Sequence, residues 1–584
     1  MDGVPVPNTN IASNLGPQFD PKDIDYMEVN RGSYSAEFGD RTYGVFNIVP
    51  RSGFERNTQA ELVLSAGNFY QTNDQLSFGS HTERFAYYAS LNGNRSDLGL
   101  QTPTPKVIHD AANGYGGFGS FIFNVDPSNQ LRLVTSLRKD YYQIPYDPFP
   151  DDLENGSIPG NDFTPQYPSI GLRDGNHESD ALVNFSWVHT FNSKVLLTVS
   201  PFYHRNSANY DSSPADVDLA TTDHHTSAYA GAQVSFSANF AKNNLQAGFY
   251  GFHQDDSQFF GVIFNDGTNT SSLAESNPAF GSLEAFFIDD KFKPFSWLTL
   301  SAGMRPTHFG GELTENSISP RFGATLTVPR LNWTFRAFYG HYYQAPPLLT
   351  VSGPLEQFCN ANSCGFLPLQ GERDEEHQFG VTIPYRGWAL DVANFQTNAH
   401  NFFDHSCIGS GLCLPVTIER AKVRGWELTL RSPRIAHRGQ IHLAYSNQIA
   451  QGAGALNGGF TDFTTNVCDP DPGFCPLDHD QRNTLNFGGD LTLPWRSFAS
   501  TNVYYGSGFS NAFPGQPYPG DHLPQHTTFD LSLGKDFGER LSASLNALNV
   551  ANRRVELDNS QTFGGFHWNN PREIYVEFRY RFRY

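Results

Sequence analysis

The residues best equipped for chemistry are six cysteines, which fall in three close pairs: Cys359/Cys364, Cys407/Cys413 and Cys468/Cys475. An even count paired locally, with each pair in a different long loop and none in an expected strand, suits three small disulfides on an oxidising face. The rival chemistry is a metal cluster assembled from adjacent loops. Metal sites favour C-x2-C spacings with partner histidines, which these wider gaps do not match. Gly114-Tyr115-Gly116-Gly117-Phe118-Gly119 spells G-x-G-x-x-G. A dinucleotide site needs that turn to open a helix, yet here it runs into Phe121-Ile122-Phe123, a strand. His224-His225 and the acids of Asp469-Pro470-Asp471 offer cation ligands, but solvated loop residues of this kind ordinarily bind nothing specific. No P-loop, H-E-x-x-H or G-x-S-x-G is present, and no nucleophile sits beside a base. The chain reads as a non-enzyme without cofactor or metal.

The elements that carry these residues are strands. At the carboxyl end Ile574, Val576, Phe578, Tyr580, Phe582 and Tyr584 alternate with Tyr575, Glu577, Arg579, Arg581 and Arg583. Period-two alternation sends successive side chains to opposite faces of a sheet. One face is apolar and mostly aromatic, and the other is charged densely enough to demand water. A closed barrel with lipid outside and water inside satisfies both faces. The same pattern recurs in Ala230–Phe240, where Ala230, Ala232, Val234, Phe236, Ala238 and Phe240 oppose Gly231, Gln233, Ser235, Ser237 and Asn239. Phe529, Leu531 and Leu533 likewise alternate with Thr528, Asp530, Ser532 and Gly534.

Composition agrees. Aromatics make up 14% of the chain, with 50 Phe, 26 Tyr and 53 Gly, a bias that suits pleated surfaces. No stretch approaches the roughly 18–20 apolar residues of a membrane helix, which excludes a helical membrane protein. The net charge of −20 argues against nucleic acid, whose binding relies on basic patches. Residues 1–20 lack the charged start and apolar stretch of a signal peptide.

Connection lengths alternate. Short turns are expected near His81–Glu83, Asp126–Asn129, Asn192–Lys194, Lys242–Asn244, Lys293–Ser296, Pro329–Leu331, Pro384–Gly387, Pro433–Arg438, Pro494–Arg496 and Asp536–Glu539. Between them lie long loops at 141–178, 205–226, 254–280, 342–372, 449–480 and 508–525. Tight turns on one rim and long loops on the other define an outer-membrane barrel, here of about 22 antiparallel strands starting near residue 58. A propeller would show a fixed repeat of about 40–50 residues, and none is found. Loop aromatics Tyr141, Tyr142 and Tyr146 could stack on a sugar or an aromatic chelator, although anchoring at the membrane interface suits them better.

Residues 1–57 differ. A turn at Asp2-Gly3-Val4-Pro5 precedes the strand Ile24–Val29, then Arg31-Gly32-Ser33-Tyr34-Ser35-Ala36-Glu37-Phe38-Gly39, then Gly44-Val45-Phe46-Asn47-Ile48 and Arg51-Ser52-Gly53. This segment is too small to hold a core, so it must pack inside the barrel. It resembles the end of the plug domain of TonB-dependent outer-membrane receptors, with Glu28, Arg31, Gly32, Gly39, Gly44, Asn47 and Gly53 at the matching positions. Phe335–Gly340 with Gln344-Ala345-Pro346, Arg424–Leu428, Asp478–Asn486, Tyr505–Phe509 and Leu545–Asn552 resemble barrel segments of the same family.

The resemblance implies residues 1–57 as the carboxyl-terminal part of a plug and 58–584 as the barrel, in the outer membrane of a Gram-negative-type cell. It implies TonB-dependent uptake of a scarce ligand: a ferric siderophore, cobalamin, a glycan or a peptide. Implied partners are outer-membrane lipid, TonB with its inner-membrane motor, and the barrel-assembly machinery, for which Phe582 and Tyr584 form the signal. Family members carry a signal peptide, a TonB-contacting segment and a first plug half before the D-G-V-P turn, and a truncated start is expected to account for their absence. The alternatives are a passive porin-like channel and a surface-binding barrel that transports nothing.

Overall fold

A computed structural model describes residues 1, 3–6, 19–42, 44–145, 173–213, 218–265, 270–348, 356–357, 360, 365–408, 412–460, 467–468, 473–478, 480–511, 520–560 and 566–584. Among these residues 22 antiparallel strands close into a barrel. Among the described residues no helix is long and apolar enough to cross a membrane. The alternation in sequence becomes an inside-out burial pattern: Leu91 is 65% exposed while its neighbour Ser90 is 3% exposed. Leu137, Phe286 and Ile318 project outward in the same way. A lipid-facing wall has this distribution because its solvent is hydrocarbon.

Closure is made by the last strand. Glu573–Arg583 pairs with Leu541–Leu548 on one side and with the first barrel strand, Gln59–Gly67, on the other. Inside the seam Glu61 accepts from Arg581 Nε at 2.7 Å and pairs with Arg579 at 3.4 Å and Arg56 at 3.8 Å. Arg579 and Arg581 of the terminal strand therefore converge on one lumenal carboxylate, and Arg579 also pairs with Glu577 at 3.3 Å. Phe582 stands opposite Ala60. Tyr584 packs edge-on against Phe78 and hydrogen-bonds the Tyr87 hydroxyl.

The expected short turns lie between hydrogen-bonded strands. Arg386 and Gly387 both have positive φ, as do Trp495 and Arg496, the twist that two-residue hairpins require. The opposite rim departs from expectation. Much of 205–226, 254–280 and 449–480 is strand: Val195–Asp211, Asp218–Asn239, Asn243–Asn265, Thr270–Phe295 and Gly439–Phe460. A tilted strand spans a membrane in about 9–11 residues, so a 26-residue strand such as Thr270–Phe295 projects far into water. There both faces are polar, as at His224-His225 and Asp255-Asp256. That removes the alternation by which strands were recognised.

The cysteines are corrected by the same extension. Cys407 lies in Trp388–Ile408 and Cys413 in Leu412–Arg431, directly opposite in register. Cys475 lies in the two-residue strand Cys475–Pro476 and is bonded to Cys468, with sulfurs 2.06 Å apart. Cys359, Cys364, Asp2, Tyr146 and the Asp469–Asp471 acids lie outside the described residues. Gly114–Gly119 sits within the strand Ala112–Asp126.

Replacing Phe582 and Tyr584 together with Asp places charge on the lipid face beside the closing seam. Such a charge costs about 2–4 kcal/mol at the bilayer midplane and less near the rim. Heat-modifiable migration should show a sharp fall in folded protein in outer-membrane fractions, and unchanged abundance would count against a role for these residues in assembly.

Candidate functional site

The amino-terminal segment forms a two-stranded antiparallel sheet, β1 (Ile24–Asn30) and β2 (Val45–Pro50). Glu28 and Asn47 are cross-strand partners, and Asn47 Nδ2 donates to Glu28 Oε2 at 3.0 Å. Asn47 Oδ1 also accepts from the Gly3 amide at 3.1 Å, tying the opening turn to the sheet. Gly44 opens the approach to β2, and Gly53 begins a one-turn helix packed on the backbones of Tyr87 and Ser80.

Between the two strands the chain from Arg31 to Asp40 meets the barrel wall. Arg321 donates through Nη1 to the carbonyl oxygens of Tyr34 (3.1 Å), Ser35 and Phe38 (2.9 Å). Its guanidinium lies 4.9 Å from the Tyr34 ring centre and 4.5 Å from that of Tyr342, a cation between two aromatic faces. Arg305, 1% exposed, donates to the carbonyls of Ala36 (3.2 Å) and Glu37 (3.0 Å) and pairs with Asp40 at 3.5 Å. Asp289 Oδ2 accepts from the Ala36 amide at 2.5 Å. Two barrel arginines and one barrel aspartate thus hold a loop that has no secondary structure of its own. Charged donors on carbonyls are strong in a buried setting, and each unsatisfied carbonyl left behind is costly.

The glycines make this approach possible. A Cβ on Gly39 would run into the Arg305 side chain. Gly32 has φ +135°, and a side chain there would collide with the Glu376 carboxylate. Arg31 reaches Glu427 at 2.9 Å. Glu37 accepts from Gln233 at 3.1 Å and from Gln246. Burial raises the Glu37 and Asp40 carboxyls above the usual carboxylate range, partly offset by the Gln246 donation and by Arg305 respectively. Arg51 instead stays within the segment, donating to Lys22 O at 2.8 Å and pairing with Glu55.

A second anchor is Asp23, whose Oδ1 accepts from Gln75 Nε2 and Tyr88 OH, both at 2.9 Å. Burial lifts its carboxyl to about 6, against the lowering effect of the Ser90 and Tyr88 hydroxyls.

Sequence reasoning named the loop side of this contact but not Arg305, Arg321, Asp289 or Glu376. The available signal was a lone arginine at a lumen-facing position, as in Ala302-Gly303-Met304-Arg305. The rim aromatics divide by face: Tyr142 is buried inward and donates to Glu178 at 2.8 Å, whereas Tyr141 packs against His177 on the outer face.

A lipid-facing barrel of 22 strands with an amino-terminal segment latched to its inner wall defines an outer-membrane receptor of the plugged type. Residues 143–550 match the family "TonB dependent receptor-like, beta-barrel", and the chain belongs to the TonB-dependent receptor family. It resides in the outer membrane of a Gram-negative bacterium, and its family comprises transport receptors rather than enzymes. Solved structures similar to it include the siderophore receptor PiuA from Acinetobacter baumannii, with TM-score 0.73 and 14% identity over 96% of this chain and 86% of that one. The ferric citrate transporter FecA in unliganded form gives 0.73 and 14%, over 99% and 87%. The ferric yersiniabactin uptake receptor FyuA from Yersinia pestis gives 0.72 and 11%, over 96% and 85%. No match is found among curated protein sequences.

Two outcomes test the latch. Arg321→Ala strands three carbonyls, a loss of roughly 3 kcal/mol, so amide exchange across Tyr34–Asp40 should accelerate about a hundredfold while barrel strands stay protected. Asp23 binds its proton more tightly when docked, so docking is strongest near pH 4 and weakens as pH rises towards 6. The difference is about 3 kcal/mol at full ionisation. Exchange of β1, corrected for intrinsic rates, should show that pH dependence, and Asp23→Asn should reduce it, leaving the part that buried Glu37 and Asp40 contribute.

Proposed function

We propose that the protein imports a scarce small ligand through the barrel, with residues 1–57 acting as plug and TonB with its inner-membrane motor supplying the energy. The observation that carries this reading is the Arg305/Arg321 grip on Tyr34–Asp40. A passive channel has no use for a loop buried against its wall by charged hydrogen bonds. A gate needs a contact strong enough to close and local enough to be released by pulling on one segment. Charged donors aimed at backbone carbonyls meet both needs, since a small displacement lets water satisfy both sides. The long hairpins would face the exterior and capture the ligand, with Cys359/Cys364, Cys407/Cys413 and Cys468/Cys475 stiffening their tips as disulfides. The barrel-assembly machinery would insert the chain through its terminal strand, and lipid would surround it.

Receptor-dependent growth of a host strain, screened across ferric chelates, cobalamin, oligosaccharides and peptides, tests the reading. Growth on the responsive nutrient should vanish when TonB is deleted or the proton motive force collapsed. Uptake that persists without TonB would replace the importer with a passive channel.

A further inference from the structure

The inner wall beside the closing seam holds a cavity of about 240 Å³ that the plug contact does not use. Its floor follows from register. Asp530, Leu548 and Glu573 lie side by side on three consecutive strands, because Leu531 opposes Ala547 and Leu548 opposes Glu573. Neighbouring strands are about 4.8 Å apart, so the two carboxylate-bearing backbones stand about 10 Å apart with an apolar side chain between them. No cluster of three or more side chains able to hold a metal occurs among the described residues.

Each carboxylate is half engaged. Asp530 Oδ1 accepts from the Asn549 amide at 2.8 Å, and Glu573 Oε1 accepts from Asn570 Nδ2 at 3.3 Å. One oxygen of each is left without a described partner. His526 also lines the cavity; it is 3% exposed, and its Nδ1 has no hydrogen-bond partner. Such a buried ring nitrogen calls for a partner. Leu548, Leu557 and Pro571 supply the apolar lining, and neither lysine nor arginine lines the cavity among the described residues.

The roof is rigid. Asn549 Nδ2 donates to the carbonyls of Arg553 and Asn570, both at 2.9 Å, and the Trp568 amide bonds Thr102 O at 2.8 Å. The Asn549 side chain is thus fixed beside Asp530, which spares the cost of ordering it on binding.

We propose that this cavity binds a short aliphatic diamine, or a ligand carrying one, with an ammonium on Asp530, a second on Glu573, and the methylene chain over Leu548. His526 Nδ1 accepts a further ammonium proton. Two separated acids with an apolar middle favour a cation charged at both ends over a neutral sugar, whose ring needs donors as well as acceptors, and over any anion. The inference rests on the importer reading for its purpose, since it names the charge and shape of what the rim captures.

Equilibrium dialysis of the full chain in detergent with radiolabelled putrescine tests it. Putrescine and cadaverine should bind saturably at one site, and butylamine and ethylenediamine at least tenfold more weakly, one for want of a second charge and the other of length. Glucose and succinate should not compete. Asp530→Asn and Glu573→Gln, confirmed as folded by heat-modifiable migration, should each weaken putrescine at least tenfold. Equal binding of butylamine, competition by glucose, no binding, or unaltered binding in the folded double variant would each overturn the assignment. The diamine series on the unaltered protein decides the matter even if the variants misfold. Because dialysis needs no TonB, its failure leaves the importer reading standing, and loss of TonB dependence in cells leaves this one standing.

Discussion

Every backbone amide at membrane depth must find a partner within the protein, and in a sheet that demand is met only when the last strand finds the first. Here the requirement falls on Glu573–Arg583 and Gln59–Gly67, separated by almost the whole chain. Until that pairing forms, both strands present open edges to lipid. The Glu61 carboxylate, shared by Arg56, Arg579 and Arg581, biases the seam toward its correct register. A slip of one residue would turn the arginines into lipid and the aromatics into water.

Closure also creates the lumen, and with it an environment the sequence alone does not describe. Arg305 and Arg321 could not be buried in a sandwich core without large desolvation costs. Inside the barrel they are covered by a loop that offers carbonyl oxygens and a carboxylate. The latch is polar, so its strength depends on the exclusion of water from a small contact. That is the physical property a gate requires, since separation by a few ångströms exchanges protein partners for water at modest net cost. The small residues of the loop permit the contact: Gly39 leaves room for the arginine, and Gly32 leaves room for Glu376.

Two regions of the lumen wall differ. Near the plug, arginines face a segment with acidic side chains and exposed carbonyls. Beside the seam, at Asp530 and Glu573, the wall is acidic with apolar residues between. Strand register sets both arrangements, because residues far apart in sequence become neighbours at fixed multiples of the inter-strand spacing.

What the sequence determined by itself was local: alternation with period two, the positions of tight turns, the terminal amphipathic strand, and the two short strands flanking the Arg31–Asp40 loop. Each depends on residues within about two dozen positions of one another, and an amphipathic strand announces which face meets lipid whatever its neighbours are. The tertiary structure decided what depends on register and closure. The partnership of Arg321 with Tyr34 spans 287 positions. The extension of hairpins such as Asn243–Asn265 and Thr270–Phe295 beyond the membrane erases the alternation that would have marked them as strands, because polar residues stand on both faces, as with exposed Asp255 and buried Asp256. For the same reason Cys407 and Cys413 read as loop residues but lie opposite one another on paired strands. The cavity between Asp530 and Glu573 exists only because three strands align these side chains in one row. Faces are written into the chain one residue at a time, but partners are assigned only when the sheet closes.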